Sequence, residues 1–243
     1  MTTPSETYGM VPVRLMATHE LVLEQIQTAI NLGRFAPGDH LPPERDLASM
    51  LHVSRTTVRE AIAILEERGV VEVRRGRSGG LIVREAYSTP SDLRKLLRAQ
   101  REEVRDTFDY RVAVESAAAR LAAERRTAAD VKTLRRLLTQ LDDAIADHSD
   151  DGGHGYVRFQ HLDSQFHLAI ANAARSTRMA RSILEARSAM FLPVGAVFAK
   201  PVPTANDLHE QVVDAIAERD GDRASDIMAA HINGTRATIE SWL

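Results

Sequence analysis

Four side chains of this 243-residue chain have the types and spacing to hold one metal ion. Asp163 and His167 stand at i and i+4, which puts both on one face of a helix. His209 and His231 flank the turn Arg219 to Asp222, each about ten to eleven residues from its centre at about 1.5 Å rise per residue. On an antiparallel helical hairpin, equal distance from the turn means equal height, so the two imidazoles can meet. Three imidazoles and one carboxylate suit Zn first, with Ni, Mn or Fe as alternatives. Such a site can polarise a carbonyl or activate water. Hydrolysis also needs a general base at an open coordination position. The chain has no His-Glu-x-x-His run and no phosphate loop, and nothing marks Glu115 or Glu210 for that task. A metal-dependent hydrolase is therefore the weak alternative, and the expectation is that the chain is not an enzyme. The other six histidines, His19, His40, His52, His148, His154 and His161, show no partner spacing.

A second set of residues has the chemistry of a DNA reader. Arg55 and Arg59 are four apart, on one helix face, and arginine is the side chain best suited to bidentate contact with guanine. Thr56 and Thr57 can donate to phosphates near a helix N-terminus, where backbone amides also favour an anion. Ser54 is a good N-cap for that helix. Arg74, Arg75 and Arg77 flank Gly76 in a turn between two short apolar runs, a basic tip able to approach the minor groove or the backbone. Arg45 can add a phosphate contact. The net charge of the whole chain is -3, so binding to DNA must come from this local patch rather than a global field.

Elements must place both sets. Leu21, Val22, Gln25, Ile26, Ala29 and Ile30 fall at helical spacing, with Gly33 as the stop. A short helix follows from Glu44 to Leu51. The third carries Val58, Ala61, Ile62 and Leu65 on its apolar face and ends at Gly69. Val70 to Val73 and Leu81 to Val83 read as two strands around Gly76 to Gly80. Three helices and a hairpin form the winged helix-turn-helix pattern, with the third helix entering the major groove. From Ser91 onward the chain reads as all helical: Ser91 to Ala99, Val104 to Ala123, Thr127 to Ala146, Tyr156 to Ala174, Thr177 to Leu192, Thr204 to Arg219 and Gly221 to Ser241. Met1 to Pro12, Glu85 to Pro90, Asp147 to Gly155 and Pro193 to Pro203 read as breaks. The apolar stretch Phe191 to Phe198 reads as core by default. The expected fold class is mainly α: a winged helix-turn-helix over residues 14–84, a linker over 85–91, and a bundle of about six to seven helices over 92–240.

Composition narrows the class. Hydrophobic residues make up 44% and charged residues 27%, a globular balance that argues against wholesale disorder. There is no cysteine, which excludes disulfides, thiolate catalysis and zinc-finger or iron–sulfur chemistry. No apolar run approaches the roughly 18–20 residues of a membrane helix. Met1 to Met10 shows no secretory signal, so a cytoplasmic protein with no membrane partner is expected.

Two stretches also carry a family resemblance. The run Phe35-Ala36-Pro37-Gly38-Asp39-His40-Leu41-Pro42-Pro43-Glu44-Arg45-Asp46-Leu47-Ala48 resembles the GntR family pattern, as does Val53-Ser54-Arg55-Thr56-Thr57-Val58-Arg59-Glu60-Ala61 with Leu65, Glu66 and Gly69. Pro43 stands where many members have Ser. The resemblance implies a bacterial transcription factor in which Arg45, Arg55, Thr57, Arg59 and Gly76 contact operator DNA. The segments Asp163 to His167, His209-Glu210 with Val213 to Ile216, and Met228 to Ile232 resemble the FCD domain of the FadR subfamily, as does Arg111 to Glu115. Arg175-Ser176-Thr177 occupies the place of an Asn usual in that domain. This second resemblance implies that Asp163, His167, His209 and His231 hold a divalent metal. It also implies that a small organic acid binds there with help from Arg111, although Arg111 can equally pair with Glu115. The expected protein is a regulator, in most such cases a repressor released by ligand. One module makes few contacts, so a homodimer on a near-palindromic operator is expected. A purely structural metal, or a metal-free pocket, is the alternative within the same reading.

Overall fold

The computed structural model describes residues 16–76, 79–84, 90–146, 154–197 and 206–241. Elements run in the order α1 (Thr18–Asn31), β1 (His40–Leu41), α2 (Glu44–Leu51), α3 (Arg55–Glu67), β2 (Val71–Arg74), β3 (Gly80–Val83), α4 (Pro90–Ala99), α5 (Arg101–Arg125), α6 (Ala128–Ala146), α7 (His154–Ala173), α8 (Thr177–Val197), α9 (Asp207–Glu218) and α10 (Gly221–Glu240). Arg77, Phe198, most of the linker and the tail Met1 to Pro12 lie outside the described residues.

Among the described residues, the first unit is three helices and a small sheet. In α1 the buried positions are Val22, Ile26, Ile30 and Asn31, while Leu21 faces solvent. Pro43 caps α2 without a side-chain bond, so no hydroxyl serves there. Ser54 caps α3: its Oγ accepts from Thr57 N at 3.1 Å and sits 2.8 Å from Thr57 Oγ1. Val58, Ala61, Ile62 and Leu65 turn inward and meet Val22, Ile26, Val71 and Val83 in one core. The expected two-stranded hairpin is in fact a three-stranded antiparallel sheet in the order β1-β3-β2, with Leu41 opposite Leu81. A two-residue strand has no period for sequence reading to detect, and β1 exists only because β3 offers it an edge.

Among the described residues, the second unit is seven helices around a separate core. Helix α5 lies at its centre, against α7, α8, α9 and α10. Three alanine positions, Ala118, Ala119 and Ala122, let its neighbours approach closely. Leu134, Leu137, Leu138, Leu141 and Ala144 line the buried stripe of α6, while Ile145 is half-buried. Helix α8 runs on to Val197, through the expected break at Pro193. Proline removes one backbone donor from a helix, and here the helix continues past that gap. Helix α4 starts at Pro90, inside the expected linker.

The two units touch. Asn31 Nδ2 donates to Ser188 O at 2.9 Å, and His161 Nδ1 donates to Leu32 O at 3.1 Å. Between them, Gly33 has φ +69°, and a Cβ there would stand 2.8 Å from Val157 O. His161, without sequence partners, is thus a contact between the two units.

Candidate metal centre and DNA-reading face

The structure brings Asp163, His167, His209 and His231 together, with one donor atom from each inside a cluster no more than 4.8 Å across. Helix α7 supplies Asp163 and His167 from one face. His209 and His231 come from the α9–α10 hairpin, where Arg219 in the left-handed conformation closes α9 and the Asp220 carboxylate caps α10. That turn sets equal heights, and His209 Nε2 lies 3.1 Å from His231 Nε2. Asp163 Oδ1 is 3.3 Å from His209 Nε2 and 3.6 Å from His167 Nε2.

These separations suit a divalent ion. Zinc bonds of about 2.0–2.1 Å in tetrahedral geometry put neighbouring donors roughly 3.3 Å apart. His167 Nε2 is buried and has no hydrogen-bond partner in the protein, a cost that a metal would remove. Burial disfavours the charged imidazole, so His209 is pushed down to about 3 despite the pull of Asp163. Burial and the neighbouring imidazole of His209 hold His231 well below its ordinary range. Burial alone would raise Asp163, but Arg187, His167 and His209 hold its carboxyl well below the usual carboxylate range. All three groups are thus in the deprotonated form that a metal requires.

Sequence reading missed the groups behind these ligands. Arg187 of α8 pairs with Asp163 Oδ2 and donates to Ser164 Oγ at 3.3 Å. Glu115 of α5 places Oε2 2.5 Å from His167 Nδ1. Its other oxygen accepts from Arg111 Nε at 2.6 Å, the Arg111–Glu115 pairing open at i,i+4 in the sequence. Burial would raise Glu115, yet Arg111 and His167 hold it far below its ordinary range. Asn206 Oδ1 accepts from His209 Nδ1 at 3.0 Å. The Arg-x-x-x-Glu spacing was the available signal for Glu115. For Asn206, three residues ahead of His209, no pattern existed. Arg175 has φ +55°, the left-handed conformation that asparagine tolerates well, and its guanidinium pairs with Asp130 at 2.7 Å.

On the other unit, Arg45, Ser54, Arg55, Thr56 and Arg59 are exposed and Thr57 is half-buried. Arg59 Nη2 donates to Glu44 Oε2 at 3.1 Å, and Arg45 Nε donates to Asp46 at 3.1 Å. The α3 guanidinium is therefore held across to the start of α2. The Thr57 hydroxyl is engaged with Ser54. Arg75 and Gly76 are exposed at the tip after β2, and Gly76 has φ +114° with open space around its α-carbon. Arg74 is drawn back onto Glu72 at 2.8 Å.

Known proteins match both units. Residues 18–80 match the model of bacterial regulatory proteins of the gntR family, and residues 106–234 match the FCD domain. The chain is 33% identical over 219 residues to RmpR of Mycobacterium gastri, named as an HTH-type transcriptional regulator, across 88% of this chain and 77% of that one. It is 28% identical over 221 residues to the HTH-type transcriptional regulator LutR of Bacillus subtilis, across 88% and 97%. Among solved structures, McbR/YncC of Escherichia coli superposes with a TM-score of 0.56 at 20% identity, covering 93% of this chain and 99% of that one, which shows the fold. The matched relatives are regulators and not enzymes. Among the described residues, no helix is long and apolar enough to cross a membrane. With an exposed arginine-bearing third helix, a wing and an FCD bundle in one chain, this protein belongs to the gntR family of bacterial regulatory proteins and is a DNA-binding transcriptional regulator.

Proposed function

We propose that the FCD unit senses a small carboxylic acid at a divalent metal and thereby changes how tightly the winged unit binds its operator. The observation that carries this reading is that one potential ligand atom each from Asp163, His167, His209 and His231 lies within 4.8 Å of the others. Zinc is the first choice of metal for this donor set. When bound, it supplies a Lewis acid for a carboxylate oxygen. Arg111, at the level of the cluster on α5, is the side chain assigned to the acid's second oxygen, with Glu115 holding its Nε. Operator contact falls to Arg45, Ser54, Arg55, Thr56, Thr57, Arg59, Arg75 and Gly76. The reading assigns residues 14–84 to the winged unit, 85–91 to the linker and 92–240 to the sensor. Two copies on a near-palindromic site, in a repressor released by ligand, complete it.

The test is elemental analysis of tag-free protein, followed by melting and operator binding in the presence of small carboxylic acids. One metal per chain, and an acid that both raises the melting temperature and weakens operator binding, is the expected result. Metal without any response to acids would make the metal structural. No metal and no response would leave the bundle without a sensing role at this cluster.

A further inference from the structure

Asn206 occupies the N-cap of α9, a place where asparagine normally turns its side chain onto the backbone of the first turn. Here it makes no such bond. Its amide is turned the other way. Nδ2 donates to Leu138 O at 3.2 Å and to Asp142 Oδ1 at 2.8 Å, both on α6. Those two bonds fix which end of the amide is oxygen, because only nitrogen can donate. The oxygen therefore faces His209 Nδ1 and must accept from it. An imidazole that donates from Nδ1 carries its lone pair on Nε2, the atom that faces the cluster.

A carboxylate stands behind His167 as the second such partner. Glu115 is buried, held by Arg111, and accepts only. Its free oxygen lies 2.5 Å from His167 Nδ1, in contact but not yet aligned as a hydrogen bond. A carboxylate at that place favours the proton on Nδ1, which again leaves Nε2 for the cluster. Two ligands on two different helices are thus backed in the same sense by groups on, or anchored to, two further helices.

We propose that Asn206 and Glu115 are positioning residues of the metal centre, each fixing a ligand histidine as its Nδ1–H tautomer so that Nε2 is presented to the ion before the ion arrives. The assignment rests on the metal reading above. Outer partners of this kind orient ligands and typically change metal affinity 10–100-fold when removed. It also gives Arg111 a task that does not depend on the effector: it holds Glu115 in place.

The direct readout is a long-range proton–nitrogen correlation of the imidazoles in 15N-labelled, metal-free wild type. Both His167 and His209 are expected as Nδ1–H tautomers, and Asn206→Ala is expected to mix the tautomers of His209 alone. An Nε2–H tautomer at either histidine of the wild type overturns the proposal, and that measurement needs no variant to fold. Zinc affinity by competition with a chromophoric chelator is the second readout. Asn206→Ala and Glu115→Gln should each weaken zinc roughly 10–100-fold while leaving one zinc per chain at saturation. Wild-type affinity in both variants overturns the proposal and leaves the metal reading standing. A wild type that takes up no zinc overturns the metal reading, and the positioning role with it.

Discussion

His209 Nε2 and His231 Nε2 lie 3.1 Å apart across the α9–α10 turn, both inside the bundle wall. With Asn206 accepting from His209 Nδ1, the His209 Nε2 atom carries a lone pair, and only one proton or one metal ion can reconcile it with its neighbour. Removing both rings tests this directly. His209→Ala together with His231→Ala should abolish stoichiometric zinc. The helical circular dichroism should persist, because Val212, Val213, Ile216, Ala224, Met228 and Ile232 still clamp the hairpin onto α5. Full zinc retention by the double variant would refute the ligand set.

Acid should destabilise the metal-free protein earlier than carboxylates alone would cause. His209 titrates near 3 in the fold, and His231 well below its ordinary range, against about 6.5 in an unfolded chain. Between those values the unfolded state binds more protons, so stability is full above about pH 6.5 and falls as pH drops toward 3. The slope is at most about 1.4 kcal/mol per pH unit for each imidazole. Asp163 and Glu115, both held below the carboxylate range, add a further loss at lower pH. Denaturant midpoints measured from pH 8 to pH 4 should decline from about 6.5 downward. A flat profile to pH 5 would mean that the two rings are solvated.

Operator binding should depend on α3. Arg55→Ala and Arg59→Ala should each cost roughly 1–3 kcal/mol on the specific site, measured by fluorescence anisotropy. Affinity should also fall steeply with salt, since phosphate contacts release counterions. Arg59 carries a second expectation, because Glu44 holds its guanidinium at 3.1 Å. Glu44→Ala should loosen base preference at the position Arg59 reads more than it changes binding to nonspecific DNA. Arginine variants that keep wild-type affinity would show that α3 is not the reading helix.

What was legible in the sequence was what local geometry sets. The i,i+4 spacing of Asp163 and His167 needs only a helix, and the meeting of His209 with His231 needs only a hairpin with its turn at Arg219. The same holds for the Ser54 cap and the apolar face of α3. What was not legible depends on which helices dock. Glu115 reaches His167 only because α5 packs on α7, and Asn206 reaches Leu138 only because α9 packs on α6. No period or cap signal encodes either pairing. β1 fails for a related reason: β3 supplies the edge on which its two residues pair.

Two glycines allow the docking of the sensor on the winged unit to be isolated. Gly33 and Gly69 have nearly the same backbone, φ +69° and +71°. An alanine at either pays the left-handed penalty, about 1–2 kcal/mol. Their surroundings differ. Around Gly69 a Cβ meets nothing within 4 Å, whereas at Gly33 it would stand 2.8 Å from Val157 O and 3.1 Å from His161 N. Those are backbone atoms of α7 and cannot swing aside as a side chain can. Gly33→Ala must therefore either strain α7 or part the units, which would stretch the bond from His161 to Leu32 O. The expected outcome is a larger loss of stability for Gly33→Ala than for Gly69→Ala. It should come with faster hydrogen exchange at the end of α1 and along the first turns of α7. Equal losses and unchanged exchange would show that the two units do not meet at Gly33 in solution.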